Sequence, residues 1–289
     1  MPGMWGAQRH RPTEVLVRSS LLCLSVVLAS GLRVVTQRAQ GNPQPLTKEQ
    51  MRIFLQHASV THSQQSAKGI TRPWRLTLSD GTLTHDASFQ AIDEHMAQRR
   101  LDTSRRGELN FVDSYHYNIA AYALAERLGL DTMMPMSVER RWQGTIGAIT
   151  WLVDDVMMDE EARQKGAVQP PDLDRWNKQM YRMHVFTQLV YDTDHNLRNV
   201  LITRDWTLWM TDFTRAFRAW PDLQSTKNLG RCDQALLERL RTLQKADVEA
   251  RTERHLSPSE IRALMLRRDK IVAHFDKLIA EQGESAVLY

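Results

Sequence analysis

The feature that most constrains the fold is a pair of short apolar stretches near the middle of the second half of the chain. VLIT at 200–203 and TLWMTD at 207–212 are separated only by Arg204-Asp205-Trp206. Two such runs around a short turn predict a tight antiparallel hairpin. In a tight hairpin, the residues just before the first strand and just after the second meet at the same open end.

Polar side chains occupy that predicted open end. Asp194 and Asn199 precede the first strand, and Asp212 ends the second. Two carboxylates and an amide oxygen form a set of hard oxygen ligands, which suits Mg²⁺ bound together with substrate phosphates. The sequence therefore predicts that Asp194, Asn199 and Asp212 converge on one divalent cation. The alternative is that these residues only cap loops and turns, where Asp and Asn are common.

A calcium site in the same segment is excluded by spacing. Asp192, Asp194 and Asn196 imitate the start of the calcium-binding loop of a helix–loop–helix. That loop needs Gly at its sixth position and Glu at its twelfth, where this chain has Leu197 and Thr203. Asp192 is better explained as a loop cap.

The rest of the chain has a strand-rich first half and a helix-rich second half, which predicts an α+β fold. Segment 91–110 is polar and gives no clear pattern. The predicted elements are a short helix with Met51, Phe54 and Leu55 on one face, a hairpin at 74–90, a helix capped by Asp113 or Ser114 and ended by Gly129, two strands within 136–156, a helix at 172–191, and a helix begun by the capping box Ser257–Glu260.

The polar segment also resembles a known family. Asp194-His195-Asn196-Leu197-Arg198-Asn199 places Asp and Asn five positions apart, and Asp212-Phe213-Thr214 follows thirteen positions after Asn199. This pattern resembles the protein-kinase-like superfamily, particularly the branch of phosphatidylinositol kinases and bacterial serine kinases of toxin modules. The resemblance implies a two-lobed kinase-like fold with a small strand-rich N-lobe and a helix-rich C-lobe.

The resemblance implies a domain division and roles for site residues. The divisions are 1–41 as signal peptide or membrane anchor, 42–65 as linker and short helix, 66–153 as N-lobe and 154–289 as C-lobe. Asp194 would orient or deprotonate an acceptor hydroxyl, while Asn199 and Asp212 would hold Mg²⁺ against the phosphates of ATP. His195 belongs to the same catalytic loop, where bracing the loop is its alternative role.

Further positions are implied for the nucleotide. Residues 151–157 would form the hinge between lobes, with Asp154 beside the nucleotide, and 68–81 the hairpin that covers the phosphates. Arg215 would pair with a carboxylate or contact a phosphate.

The sequence departs from the family where a Lys–Glu ion pair is expected. Gln90 and Asn118 stand at those positions, and two amides can hydrogen-bond to each other but carry no charge to offset phosphate. Two functions therefore remain open: a kinase acting on an unknown protein, lipid or small-molecule hydroxyl, and an inactive pseudokinase that binds nucleotide or metal. Transfer of another part of the nucleotide, such as AMP, is a third.

The charge distribution argues against a nucleic-acid partner. Residues 1–41 carry five arginines and one glutamate, which account for the whole net charge of +4. The same segment has a basic start followed by an apolar run at 19–32, as in an export signal or a short membrane anchor. We therefore expect an exported or membrane-anchored protein. Removal of a signal would leave Cys232 as the one cysteine, and hence no internal disulfide.

Overall fold

The computed structural model describes residues 46–66, 72–100, 107–194 and 196–289. The predicted signal or anchor at 1–41, His195 and residues 68–71 of the predicted phosphate-covering hairpin lie outside the described residues. Among the helices that are described, none combines the length and the apolar character needed to cross a membrane.

The strands pair antiparallel throughout the described part of the chain. In chain order they are β1 (Ser59–Gln65), β2 (Trp74–Ser79), β3 (Thr84–Gln90), β4 (Asp93–Arg100), β5 (Gly107–Ser114), β6 (Ser137–Trp142), β7 (Thr145–Trp151), β8 (Val156–Asp159), β9 (Val200–Thr203) and β10 (Leu208–Met210). A five-stranded sheet has the order β1-β2-β3-β7-β6. The smaller sheets are β10-β9-β8 and β4-β5.

The hairpin β2–β3 confirms the sequence prediction. Leu76 and Leu78 alternate with partly exposed residues on β2, and Ala87 and Phe89 do the same on β3. Leu76 pairs with Ala87 across the ladder, so one face of the hairpin is apolar and buried. Gly81 supplies the turn with a φ of +90°, which is readily accessible to glycine.

The helices are α1 (Lys48–His57), α2 (His116–Leu128), α3 (Glu160–Lys165), α4 (Leu173–Val190), α5 (Gln234–Thr242), α6 (Lys245–Thr252), α7 (Pro258–Gln282) and α8 (Glu284–Val287). The predicted capping box of α7 is present: the Ser257 hydroxyl accepts from the Glu260 N–H, and Glu260 accepts from the Ser257 N–H. Phe54 and Leu55 of α1 are buried as predicted. The sequence did not predict β1, which extends the sheet directly after α1.

The start of α2 agrees with the prediction in part, because the Ser114 hydroxyl accepts from the His116 N–H at 3.3 Å. Asp113 and Ser114 are the last residues of β5, and the N-cap position is taken by Tyr115, which makes no side-chain cap bond. The reason is that the strand runs to the helix without a loop, so its final residues stay extended. The end of α2 agrees with the prediction, because Gly129 ends it with a φ of +72° and its N–H reaches the Ala125 carbonyl.

One continuous apolar core joins the five-stranded sheet to the helices. It includes Leu76 and Ile149 of the sheet, Leu124 of α2, Phe186 of α4 and Phe275 of α7. Helix α2 contacts β6 and β7 on one side and α5 and α6 on the other. It therefore lies between the sheet and the helical half, a position from which it reaches both.

A buried arginine secures the segment that follows β10. The Arg267 guanidinium on α7 is fully buried and donates to the carbonyl oxygens of Leu189, Arg218 and Trp220 at 2.8, 2.8 and 2.5 Å. Burial lowers the pKa of Arg267 to about 10, so the side chain stays charged at neutral pH. These bonds tie the end of α4 and residues 218–220 to α7.

Candidate active site

The hairpin β9–β10 forms as the sequence predicts. Val200 pairs with Met210 at its open end, and Trp206 forms part of the turn with a φ of +62°. Beyond the last pair, the Asn199 carbonyl accepts from the Thr211 N–H at 2.9 Å and from the Thr211 hydroxyl at 2.8 Å. The residues that flank the two strands therefore meet, and Asn199 lies beside the segment that carries Asp212.

A cleft of about 250 Å³ lies between the five-stranded sheet and this hairpin. Four of the predicted site residues line it: Gln90 at the end of β3, Asn118 on α2, Asn199, and Asp212. The predicted hinge segment contributes Trp151, Leu152 and Val153. The remaining apolar lining includes Met134, Pro135, Leu201 and Met210. The cleft therefore joins an apolar part to a polar end.

The two amides at the polar end are hydrogen-bonded to each other, as predicted. The Asn118 Nδ2 donates to the Gln90 Oε1 at 2.6 Å. The Gln90 amide in turn donates to the Asp212 carboxylate, and the Phe213 N–H donates to the Asn118 Oδ1 at 2.7 Å. Sheet, helix and the Asp212-Phe213 segment are thus linked through these two side chains.

Asp212 is the most perturbed acid of the cleft. Burial, followed by the negative charge of Asp113, raises its pKa to about 6, and Asp192 adds to the effect. Asp212 is exposed to solvent in the cleft, yet enough protein lies around its carboxylate to solvate the charged form poorly. The φ of Asp212 is +57°, so the chain turns sharply here. Excess negative charge of this kind favours a bound cation.

The sequence missed the acids that surround Asp212. Asp113 was predicted as a helix cap, but it is buried at the end of β5 and close enough to raise the pKa of Asp212. Asp192 is a loop cap as predicted, because its Oδ1 accepts from the Asp194 N–H at 3.0 Å; it is also buried. The signal in the sequence is an acid directly after apolar residues, as in Phe111-Val112-Asp113.

Asp194 and Arg215 form an ion pair. The Arg215 guanidinium lies 3.3 Å from the Asp194 Oδ2, which is the carboxylate pairing predicted as one of two roles for Arg215. The Asn199 Nδ2 donates to the Asp194 carbonyl at 3.4 Å. Asp194 is therefore joined to the metal-site candidate Asn199 through its backbone, while its half-exposed carboxylate faces Arg215.

Asp154 lies outside the lining of the cleft. Its exposed carboxylate is 3.0 Å from the His85 Nε2 on β3, whereas its neighbours Leu152 and Val153 face the cleft. The structure thus brings together Gln90, Asn118, Asn199 and Asp212, and separates Asp154 from them.

The donor set fits Mg²⁺. Asn199 and Asp212 offer an amide oxygen and a carboxylate, the type of ligand that Mg²⁺ uses when waters and phosphates complete its shell. Burial is the main cause of the raised pKa of Asp212, and the negative charges of Asp113 and Asp192 add to it; a divalent cation would offset that negative charge.

The chain resembles proteins of known structure in its fold. No protein-family model matches the sequence, and no curated protein matches it significantly. The structure of hydra Fam20 with sugar is similar with a TM-score of 0.63 and 14% identity, covering 83% of this chain and 91% of that one. The Golgi casein kinase has a TM-score of 0.58 and 12% identity, covering 84% and 79%.

A third solved structure, the Helicobacter pylori proinflammatory kinase CtkA, has a TM-score of 0.50 and 9% identity, covering 79% of this chain and 98% of that one. Identities this low bear on architecture alone. The strand and helix content agrees with the α+β prediction. The chain therefore has the kinase-like fold that its sequence pattern predicted.

Proposed function

We propose that the protein is a phosphotransferase that uses Mg²⁺ and ATP to phosphorylate a hydroxyl group of a protein, lipid or small molecule. The observation that carries the proposal is the joint position of Asn199 and Asp212 in one cleft at the open end of the hairpin. Protein kinases hold their metal ions with an Asn of the catalytic loop and the Asp of the DFG motif, and the resemblance places Asn199 and Asp212 at those positions. The surplus negative charge around Asp212 supports the same function.

The cleft offers separate surfaces for the two ends of a nucleotide. Met134, Leu201 and Met210 give the apolar part, beside residues 151–153 of the hinge predicted at 151–157, and a planar base fits such a lining. Asn199 and Asp212 would hold Mg²⁺, which supplies charge neutralisation for the phosphates. The Gln90 amide, which donates to Asp212, fixes that carboxylate in the direction of the cleft.

Asp194 is the residue we assign to the acceptor. Its half-exposed carboxylate would accept a hydrogen bond from the acceptor hydroxyl, orient the oxygen towards the γ-phosphorus and take its proton as the new P–O bond forms and ADP leaves. Arg215, 3.3 Å away, orients this carboxylate. His195 remains a proposed member of the same loop.

A second candidate function is a pseudokinase that binds nucleotide or metal without turnover. One observation favours it: the Gln90–Asn118 pair, bonded at 2.6 Å, is neutral where the resembling family has a Lys–Glu pair. An amide stabilises phosphate charge less than an ammonium group does, so turnover would be slower even if binding persisted.

The experiment compares binding with turnover in the full-length chain. Thermal unfolding with ATP, with and without Mg²⁺, measures binding, because a ligand at 100 times its Kd stabilises by about 2.7 kcal/mol. Loss of labelled γ-phosphate to water or to a hydroxyl acceptor measures turnover.

Single substitutions separate the residue proposed to bind Mg²⁺ from the residue proposed to act on the acceptor. We expect Asp212→Asn to lose the Mg²⁺-dependent stabilisation, and Asp194→Asn to bind ATP normally but lose turnover. Asp154→Asn is the matched control, since this acid is exposed and lies outside the cleft. Binding without turnover in the wild type supports the pseudokinase. Absence of any stabilisation by ATP, by Mg²⁺ or by both together would reject both functions.

Export or membrane anchoring by residues 1–41 belongs to the same proposal. It is supported by the basic start and the apolar run of that segment. Fractionation of cells that produce the full chain, followed by N-terminal sequencing, separates a cleaved signal from an anchor. Full-length chain in the cytosolic fraction would contradict it.

A further inference from the structure

A second cluster of ligand-type side chains lies apart from the cleft residues. His116 stands at the start of α2, Glu139 on β6, and His255 in the 3-10 helix Glu253–His255. A ligand atom of each lies within 4.8 Å of the ligand atoms of the other two. Three elements far apart in sequence thus converge on a single point.

The two histidines are in direct contact. The His116 Nδ1 is 2.8 Å from the His255 Nδ1, and both rings are partly buried. Tyr115 stacks on the His116 ring with centroids 4.1 Å apart, which fixes its orientation.

We propose that His116, Glu139 and His255 form a Zn²⁺ site. Two imidazole nitrogens and one carboxylate oxygen match the ligands of zinc sites with three protein donors and an open fourth position. Mg²⁺ and Ca²⁺ prefer oxygen donors alone, so a pair of imidazoles selects against them. The site is therefore different in chemistry from the Asn199–Asp212 pair.

A cavity lies beside the cluster. This cavity of about 380 Å³ is lined by Glu139, His255 and Arg254, among others, so solvent and a dissolved ion can reach two of the three proposed ligands. Arg254 forms an ion pair with the Glu139 Oε1. A carboxylate has two oxygens, so one can bind the metal while the other keeps the arginine, although the positive charge of Arg254 lowers the affinity for a cation.

An ion bound at this cluster would link three elements of the fold. It would join β6 of the five-stranded sheet to α2 and to the helical half at His255. His116 lies two residues before Asn118, whose side chain bonds both Gln90 and the Phe213 N–H. A bound Zn²⁺ would thus hold the end of α2 that supports the cleft. Zinc binding at these three residues does not depend on whether the cleft transfers phosphate.

The test is zinc binding to the full-length chain after treatment with a chelator. Zn²⁺ alone is titrated in competition with a chromophoric chelator, and bound metal is counted by mass spectrometry after gel filtration. We expect one Zn²⁺ per chain. His116→Ala and His255→Ala should each weaken binding by about 100-fold or more, since even residues that only support ligands contribute 10–100-fold.

The matched control is His62→Ala, which removes an exposed histidine of β1 and should leave the affinity unchanged. Circular dichroism in the presence of chelator verifies that each variant is folded. Co²⁺ in place of Zn²⁺ should give the visible absorption of a four-coordinate ion in the wild type and lose it in His116→Ala. Binding that is equal in the wild type and in the folded His116→Ala/His255→Ala double variant would overturn the proposal.

Discussion

Replacement of Asp212 by asparagine tests the electrostatics of the cleft without reference to any substrate. The pKa of Asp212 is raised from 3.8 to about 6, so the folded state holds this proton more tightly than the unfolded state does. The free energy of unfolding therefore falls as the pH rises from about 4 through 6, and the full penalty is present above 6. The Asp212→Asn variant is free of this penalty, because an amide does not ionise in this range.

The magnitude follows from the difference in pKa. At 1.36 kcal/mol for each pH unit, 3.8 against about 6 gives at most about 3 kcal/mol. Solvent reaches Asp212 through the cleft and screens its charge, which reduces the expected effect to about 1 kcal/mol. The new amide keeps an oxygen that can accept from Gln90 and Thr214. We therefore expect Asp212→Asn to stabilise the metal-free protein by about 1 kcal/mol at pH 7.5 and to have little effect near pH 4.

The assay is urea unfolding of the full-length chain at both pH values, with Asp154→Asn as the control at an exposed acid. Addition of millimolar Mg²⁺ with ATP should raise the midpoint of the wild type and not that of Asp212→Asn, so the order of stability reverses. A variant that is less stable than the wild type at pH 7.5 without metal would refute the argument. So would a variant that Mg²⁺ still stabilises.

Other substitutions test the walls and supports of the cleft. Gln90→Lys should tighten ATP binding about tenfold by calorimetry, because a charged donor adds about 1.4 kcal/mol beside phosphate; an unchanged Kd would place phosphate elsewhere. Gly147→Ala should lower the free energy of unfolding in urea by about 1–3 kcal/mol, because the added Cβ would lie 2.4 Å from the Gln90 carbonyl oxygen. Gly230→Ala is the control and should leave the stability unchanged, since there is open space around Gly230. Ser257→Ala should cost about 1 kcal/mol through loss of the α7 cap, and an unaltered midpoint would contradict that cap.

Elements with a local signal were predicted well. The β9–β10 hairpin has two apolar runs and a short turn, and α7 has a capping box with Pro258 at its first position, so neighbouring residues alone determine their starts. The β4–β5 ladder was not predicted, because its pairing, such as Glu94 with Asp113, consists of backbone bonds between strands without apolar alternation. Such backbone pairing leaves no recognisable pattern of apolar residues in either strand.

The site was predicted as far as the hairpin determines it. Asn199 and Asp212 meet because two strands bring them together, and Gln90 meets Asn118 as the resemblance implied. Asp113 was missed because its proximity to Asp212 depends on how β5 packs against the residues after β10, where the Ser114 N–H donates to the Thr214 carbonyl at 2.8 Å. No spacing in the sequence reports such a contact.

The link from sheet to helix to the residues after β10 is made by amides and a backbone N–H rather than by opposite charges. Dissolved salt weakens an exposed ion pair, because counter-ions screen its attraction over about 8–10 Å at ordinary ionic strength, but it has little effect on a bond between neutral groups. The hydrogen bonds that position the cleft residues should therefore persist at high salt concentration. If the protein is exported as proposed, it would meet salt concentrations that the cell does not control. Because these bonds depend little on salt, the geometry of the cleft would be kept there.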